Sequence, residues 1–160
     1  MEYILAKDNE EDFQGFLKLE EEFDQHYVSL GVGEQYIRVP FAEQTETDKK
    51  NEFVSQLEKD DFFLFAKDGD QHVGYLFGEC KDTSYSYKIR NIGYLDSLII
   101  AEKYRGQGIA TKMKELFFDW LRSKNITICQ IHVNAKNPDT LNIYKKWGFE
   151  VDELRLWKKI

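Results

Sequence analysis

The sequence predicts an α/β layered domain with the element order β-α-α-β-β-β-α-β-α-β. Three observations carry that prediction. Residues 109–121 show the clearest amphipathic helix, residues 62–80 read as a β-hairpin, and apolar runs of strand length alternate with helical patterns along the chain. The 160 residues, 42% apolar and 15% aromatic, are enough to bury a core and too apolar for disorder. Residues 1–160 are expected to form a single domain, since no repeat, low-complexity tract or composition break divides them.

Residues 3–6 are a short apolar first strand. Residues 9–25 place Phe13, Phe16, Leu17 and Phe23 at helical spacing, with acids between them. The stretch 28–43, with Gly31, Gly33 and Pro40, looks irregular, and a second helix begins at about Thr47 with Phe53, Val54 and Leu57 on one side. Residues 62–67 and 72–80 flank the turn Asp68-Gly69-Asp70. Residues 81–90 are a polar connection, and residues 92–101 form a strand whose Leu98-Ile99-Ile100 end is apolar on both faces, as in a covered sheet. In the next helix Ile109, Ala110, Met113, Leu116, Phe117, Trp120 and Leu121 share one side, leaving Lys112, Glu115, Asp119 and Arg122 outward. Residues 126–133 read as a strand. Asn137-Pro138 supplies an N-cap and a first-turn proline for a helix over 138–147, which Gly148 ends. Residues 154–160 are expected to close the sheet as a last strand.

Charge narrows the function classes. Residues 8–24 hold eight acids against one base, which accounts for the whole net charge of −7. An acidic block on a neutral body excludes a general nucleic-acid binder, which needs a basic face; it permits a cationic partner or a merely solvated helix face. The longest apolar run, residues 62–66, cannot span a bilayer, and no secretory signal is visible at the N-terminus. Cys80 and Cys129 sit in strand-like runs and read as buried thiols rather than a disulfide framework. A cytoplasmic protein, without nucleic-acid or membrane partners, is the expectation. No metal site is apparent: His26, His72 and His132 are scattered, and neither Cys-x-x-Cys nor His-Glu-x-x-His occurs.

The chemistry concentrates in the segment after residue 98, where a strand runs through Arg105-Gly106-Gln107-Gly108 straight into a helix. The first amides of a helix lack internal acceptors and carry the positive end of the macrodipole, and glycines let a bulky anion approach them. A diphosphate fits such a place. It is not a dinucleotide fingerprint, because Thr111 stands at the third glycine position, and no Walker loop is present.

The segment resembles the GNAT superfamily of N-acetyltransferases. The superfamily's Gln/Arg-x-x-Gly-x-Gly/Ala motif is met by Arg105-Gly106-Gln107-Gly108-Ile109-Ala110. A second signature, Asn-Pro-x-Ala-x-x-Leu-Tyr-x-x-x-Gly-Phe, is similar to residues 137–149, with Thr140 for the small residue and Ile143 for the leucine. The resemblance implies a mixed, mostly antiparallel central sheet flanked by helices, and acetyl transfer from acetyl-CoA to an amine. It implies that Arg105, Gly106, Gln107, Gly108, Ile109, Ala110 and Thr111 hold the pyrophosphate through their backbone. It also implies that Leu98, Ile99 and Ile100 pair with the pantetheine like an extra strand, and that Asn137 lies on the cofactor side. Tyr144 matches the tyrosine that donates to the departing thiolate, a role suited to a phenol that keeps its proton at neutral pH.

The general base stays open. His132 occupies the strand-five position where the branch acetylating ribosomal-protein N-termini carries a glutamate, and an imidazole titrating at about 6.5 also serves there. Gln130, His132 and Asn134 are expected to share one strand face; Asp96 and Glu79 are the rivals. The acceptor is read as a small cationic amine, such as an aminoglycoside or polyamine, because the surplus acid lies in the region the family uses around its acceptor. A peptide or protein amine is the alternative, and a non-catalytic acyl-CoA-binding module is the alternative of another class. Dimers are common in the family, and nothing in the sequence locates an interface.

Overall fold

The computed structural model describes residues 1–31, 39–57, 61–85, 88–156 and 158. Its elements are β1 (Glu2–Leu5), α1 (Glu10–Ser29), α2 (Glu46–Leu57), β2 (Phe62–Asp68), β3 (Gln71–Asp82), β4 (Asn91–Ile100), α3 (Ile109–Ser123), β5 (Cys129–Ile131) and α4 (Pro138–Lys146). The sheet order is β1-β2-β3-β4-β5. The first three pairings are antiparallel and β4–β5 is parallel. The expected mixed, mostly antiparallel sheet flanked by helices is what forms.

Local chemistry starts each helix. Asn9 caps α1 by accepting the Asp12 amide at 2.8 Å, and Glu10, Glu11 and Asp12 face the positive end of its dipole. Thr45 caps α2 reciprocally: its hydroxyl accepts the Asp48 amide at 3.1 Å and donates to the Asp48 carboxylate at 2.6 Å. The two faces of the sheet carry two cores. Phe13, Phe16, Phe41, Phe53, Phe63, Phe65, Tyr75 and Phe77 fill the space under α1 and α2. Leu64, Val73, Leu76, Leu95, Ile109, Met113, Phe117 and Leu121 fill the space under α3. Strand β2 feeds both cores by alternation, which is why residues 62–66 are apolar without interruption.

Two expectations about strands are corrected. The strand read over residues 126–133 shrinks to Cys129–Ile131, because β4 turns away from it beyond Leu95 and leaves no ladder to extend. The closing strand read over 154–160 does not form in its described part. Residues 151–156 belong to no helix or strand, and Leu154 and Leu156 are exposed; Trp157, Lys159 and Ile160 lie outside the described residues. An alternating apolar pattern needs a paired edge to become a strand, and that segment has none here.

Candidate active site

The divergence of β4 and β5 is the feature that builds a site. The two strands pair as Gly93↔Cys129, Tyr94↔Gln130 and Leu95↔Ile131, and then separate. On its other side β4 changes register against β3: Leu95 faces Gly78 and Ser97 faces Phe77, so Asp96 is the extra residue of a bulge. A bulge bends its strand and increases the local twist. Beyond the bulge the β4 backbone through Leu98, Ile99 and Ile100 stays paired with β3 but has no strand partner on the β5 side among the described residues. The side chains of those three residues go into the two cores, so this edge offers main-chain donors and acceptors alone.

Strand β4 leads into the glycine loop. Arg105 Nε donates to the Ile100 carbonyl at 3.0 Å, and Gln107 Nε2 donates to the Lys103 carbonyl at 3.1 Å, which folds the loop back on the strand end. Gly106 and Gly108 have φ of +74° and +80°. Only glycine adopts this region without strain, and a Cβ at either position would meet no atom within 4 Å, so the loop surface is open. The first hydrogen bond of α3 runs from Lys112 N to Gly108 O at 3.0 Å. The amides of Ile109, Ala110 and Thr111 therefore precede the ladder, Gly108 has no side chain to cap them, and no acid lies in the first turn. Exposed Lys103, Arg105 and Lys112 surround this amide cluster. Open glycines, unclaimed amides and nearby cations fit a diphosphate. The free β4 edge fits an extended chain bearing amides.

Helix α4 follows β5 in the chain, and the residues just after it pack on α3. Asn137 is buried and caps it, its Oδ1 accepting the Thr140 amide at 3.2 Å. Tyr144 is buried against Trp147 and Phe149, with ring centroids 5.6 and 6.0 Å away. Burial, and secondarily the Tyr27 phenol, push its pKa far above the ordinary tyrosine value, so it holds its proton throughout the neutral range. Tyr27 belongs to the last turns of α1, which brings that helix end to α4.

His132 is the first residue after β5, at the vertex of the fork. Its Nδ1 lies 3.0 Å from the Tyr94 hydroxyl, and the two rings meet edge-on at 5.4 Å. Tyr94 is 8% exposed, and burial, followed by the charges of Asp96 and Glu79, raises its pKa, with Arg155 opposing. Of the rival bases, Asp96 accepts the Ser97 hydroxyl at 3.0 Å and Glu79 pairs with Lys81 at 2.9 Å. Sequence reading missed Tyr94. Its partnership with His132 depends on the β4–β5 register, which no local pattern encodes. Asn134, expected on the same strand face as Gln130 and His132, instead sits in the turn before α4, where its Oδ1 accepts the Lys136 amide at 2.9 Å.

Five of the eight acids in the block are engaged within the fold. Asp12 is buried, taking His72 Nε2 and the Lys7 amide, each at 2.9 Å. Glu11 pairs with Lys67, and Asp8 with Lys50 at 3.1 Å. Glu20 accepts the buried Tyr75 hydroxyl, and Glu22 accepts the Glu102 amide at the entry to the glycine loop. These acids fasten α1 to the sheet and the loop. Among the described residues no group of three or more metal-ligating side chains converges, and no helix is long and apolar enough to cross a membrane.

Comparison with known proteins agrees with this geometry. The model of the acetyltransferase (GNAT) family matches residues 17–149. N-alpha-acetyltransferase 30 of Schizosaccharomyces pombe is 30% identical over 90 residues, covering 56% of this chain and 57% of that protein. The matches span about half the length of the curated relatives. Among solved structures, a point mutant of the Bacillus halodurans BH1408 protein superposes with a TM-score of 0.85 at 15% identity, covering 100% of this chain and 99% of that one. Aminoglycoside N-acetyltransferase AAC(6')-Iy in complex with CoA gives a TM-score of 0.71 at 12% identity, covering 99% and 95%. With a fork between β4 and β5, an open glycine loop heading α3 and a family match over most of its length, this chain belongs to the acetyltransferase (GNAT) family.

Proposed function

We propose that the chain transfers the acetyl group of acetyl-CoA to the α-amine of a peptide or protein, with His132 and Tyr94 as the base unit. The Tyr94–His132 hydrogen bond at the vertex of the fork carries this reading. The backbone of residues 105–111 holds the pyrophosphate, the free edge at Leu98, Ile99 and Ile100 takes the pantetheine amides, and Asn137 frames the cofactor side. The thioester then lies at the fork, beside His132. With Nδ1–H donating to the Tyr94 oxygen, the Nε2 lone pair faces the acceptor and removes its proton. The neutral amine attacks the thioester carbon, the C–S bond breaks, the proton shed by the nitrogen passes to the departing sulfur, and Tyr144 keeps its own proton while donating a hydrogen bond to that sulfur.

Two arguments favour an α-amine. An α-ammonium titrates at about 8 and a lysine ammonium at about 10.4, so an imidazole-type base faces about 3 kcal/mol less opposition from the former. Five of the eight acids that pointed to a polycationic acceptor are engaged by His72, Lys67, Lys50, Tyr75 and the Glu102 amide. The N-alpha-acetyltransferase relative supports the same class. The test is thiol release from acetyl-CoA over a panel of N-terminal peptides, polyamines and aminoglycosides. Turnover concentrated on the peptides is expected; preference for aminoglycosides or polyamines overturns the acceptor assignment, and failure to bind CoA overturns the cofactor assignment.

A further inference from the structure

The Lys81 ammonium sits 3.5 Å above the centre of the Tyr94 ring and 2.9 Å from the Glu79 carboxylate. An aromatic face beside a carboxylate is the pairing by which proteins recognise ammonium groups. Glu79 and Tyr94 are partners across β3 and β4, so the two halves of this arrangement are held by the sheet itself. Lys81 arrives from the side: its side chain is 43% exposed, against 17% for Glu79 and 8% for Tyr94 as a residue. The walls are fixed and sheltered, while their occupant reaches in from solvent.

We propose that the Tyr94 ring and the Glu79 carboxylate form a subsite for the acceptor's primary ammonium, which Lys81 occupies until an acceptor displaces it. The proposal rests on the reading of Tyr94 and His132 as the base unit. The incoming ammonium restores the contacts that Lys81 gives up, so displacement leaves neither Glu79 nor the Tyr94 ring without a cation. Position gives the subsite its use. An ammonium held on this ring lies beside the phenol that is bonded to His132, so it is bound next to the group that deprotonates it. Once neutral, the amine is no longer held by either the carboxylate or the ring face, and it is free to move to the thioester. Asp96 adds negative charge at this ring, and Arg155 opposes it, as their effects on Tyr94 record. Lys81 is thus an internal competitor that raises the apparent Kd of every amine by the same factor.

The test uses the full chain, saturating acetyl-CoA and a tetrapeptide with a free α-amine and an amidated C-terminus. Lys81→Met removes the competitor while keeping the length of the side chain; the peptide KM is expected to fall about fivefold, with a smaller change in kcat. Lys81→Arg keeps an occupant and is expected to leave KM within about twofold, and Glu79→Gln is expected to raise it about fivefold. Calorimetric titration of the same peptide into the CoA complex is expected to show the same order of Kd. A Lys81→Met variant whose KM and Kd match or exceed those of the parent overturns the subsite. Because the titration needs no turnover, that outcome is separable from failure of the acetyl-transfer reading, which appears as a parent chain that binds CoA and acetylates no amine.

Discussion

Gly15 of α1 lies directly against the ring of His72 on β3: a Cβ at position 15 would stand 2.4 Å from His72 Cγ. The helix can approach the sheet there only because the residue has no side chain, and that approach lets Asp12, one turn earlier, reach His72 Nε2 at 2.9 Å. Replacing Gly15 by alanine gains helix propensity worth up to about 1 kcal/mol but overpacks a buried ring at a cost of about 1–3 kcal/mol. Gly15→Ala is expected to lower stability by about 1–2 kcal/mol in urea unfolding, whereas a gain would show that α1 can lift off the sheet cheaply.

The proposed base unit makes a kinetic prediction. His132→Ala is expected to lower kcat by about a hundredfold or more, as loss of a general base does, without weakening CoA binding. Tyr94→Phe removes the hydrogen bond at 3.0 Å but leaves the imidazole in place, and its expected loss is smaller, about tenfold. Equal rates in the parent and His132→Ala, measured by thiol release, would move the base to Asp96 or Glu79.

The glycine loop is tested by binding alone. Gly106 and Gly108 hold φ of +74° and +80° with open space around them, so alanine there meets backbone strain of about 1 kcal/mol rather than a clash. Either substitution also puts a methyl group on the surface where the diphosphate is proposed to sit. CoA affinity measured by calorimetry is expected to drop about tenfold in each variant, with a melting temperature only slightly lower.

Two buried phenols set an alkaline limit on stability. Burial raises the pKa of Tyr144, and burial together with Glu20 raises that of Tyr75, while both titrate at about 10.0 in the unfolded chain. Their raised folded values favour the protonated form, so the folded state holds more protons above that pH and stability falls as pH rises. Unfolding free energy is expected to be insensitive to these groups below about pH 10 and to decline above it. Tyr144→Phe should flatten part of that decline, as urea titrations between about pH 8 and 11 would reveal.

The thiols are expected to stay apart. Cys80 and Cys129 both pair with Gly93, from β3 and β5 on opposite sides of β4, and are therefore two strand spacings, or about 9.6 Å, apart. That exceeds the reach of about 7 Å for a disulfide. Burial also pushes the Cys129 thiol up to about 11, so little nucleophilic thiolate exists at neutral pH. Mild oxidation should give no intramolecular disulfide by mass spectrometry, and Cys129 should react with thiol reagents only slowly until the chain is unfolded.

Much of this architecture was legible along the chain because it rests on short-range chemistry. The cap Asn137, the turn at Gly69 and the apolar stripe of α3 act within a few residues, and each lies where its pattern indicated. The motif around Arg105 located the cluster of free amides for the same reason, since a helix start is a local event. The limits of β5 were not legible, because a strand ends where its neighbour leaves, and the neighbour left at a bulge.

The meaning of the charge pattern also needed the fold. Residues 8–24 carry the whole net charge of the chain, and their order along the chain suggests a face for a cation. Packing brings five of the eight acids instead to Lys50, Lys67, His72, Tyr75 and the Glu102 amide, between 42 and 80 residues away along the chain.

By itself, then, the sequence determined every element type except the expected closing strand, together with the glycine loop, the tyrosine of α4 and the family they belong to. Tertiary structure alone decided that Tyr94 meets His132, that Lys81 lies on the Tyr94 ring, and that Glu11, Asp12, Glu20 and Glu22 of α1 are engaged within the fold. The division has one physical cause. Caps, turns and periodicity are set by neighbours in sequence, whereas strand register and charge pairing are set by residues that meet only when the sheet closes.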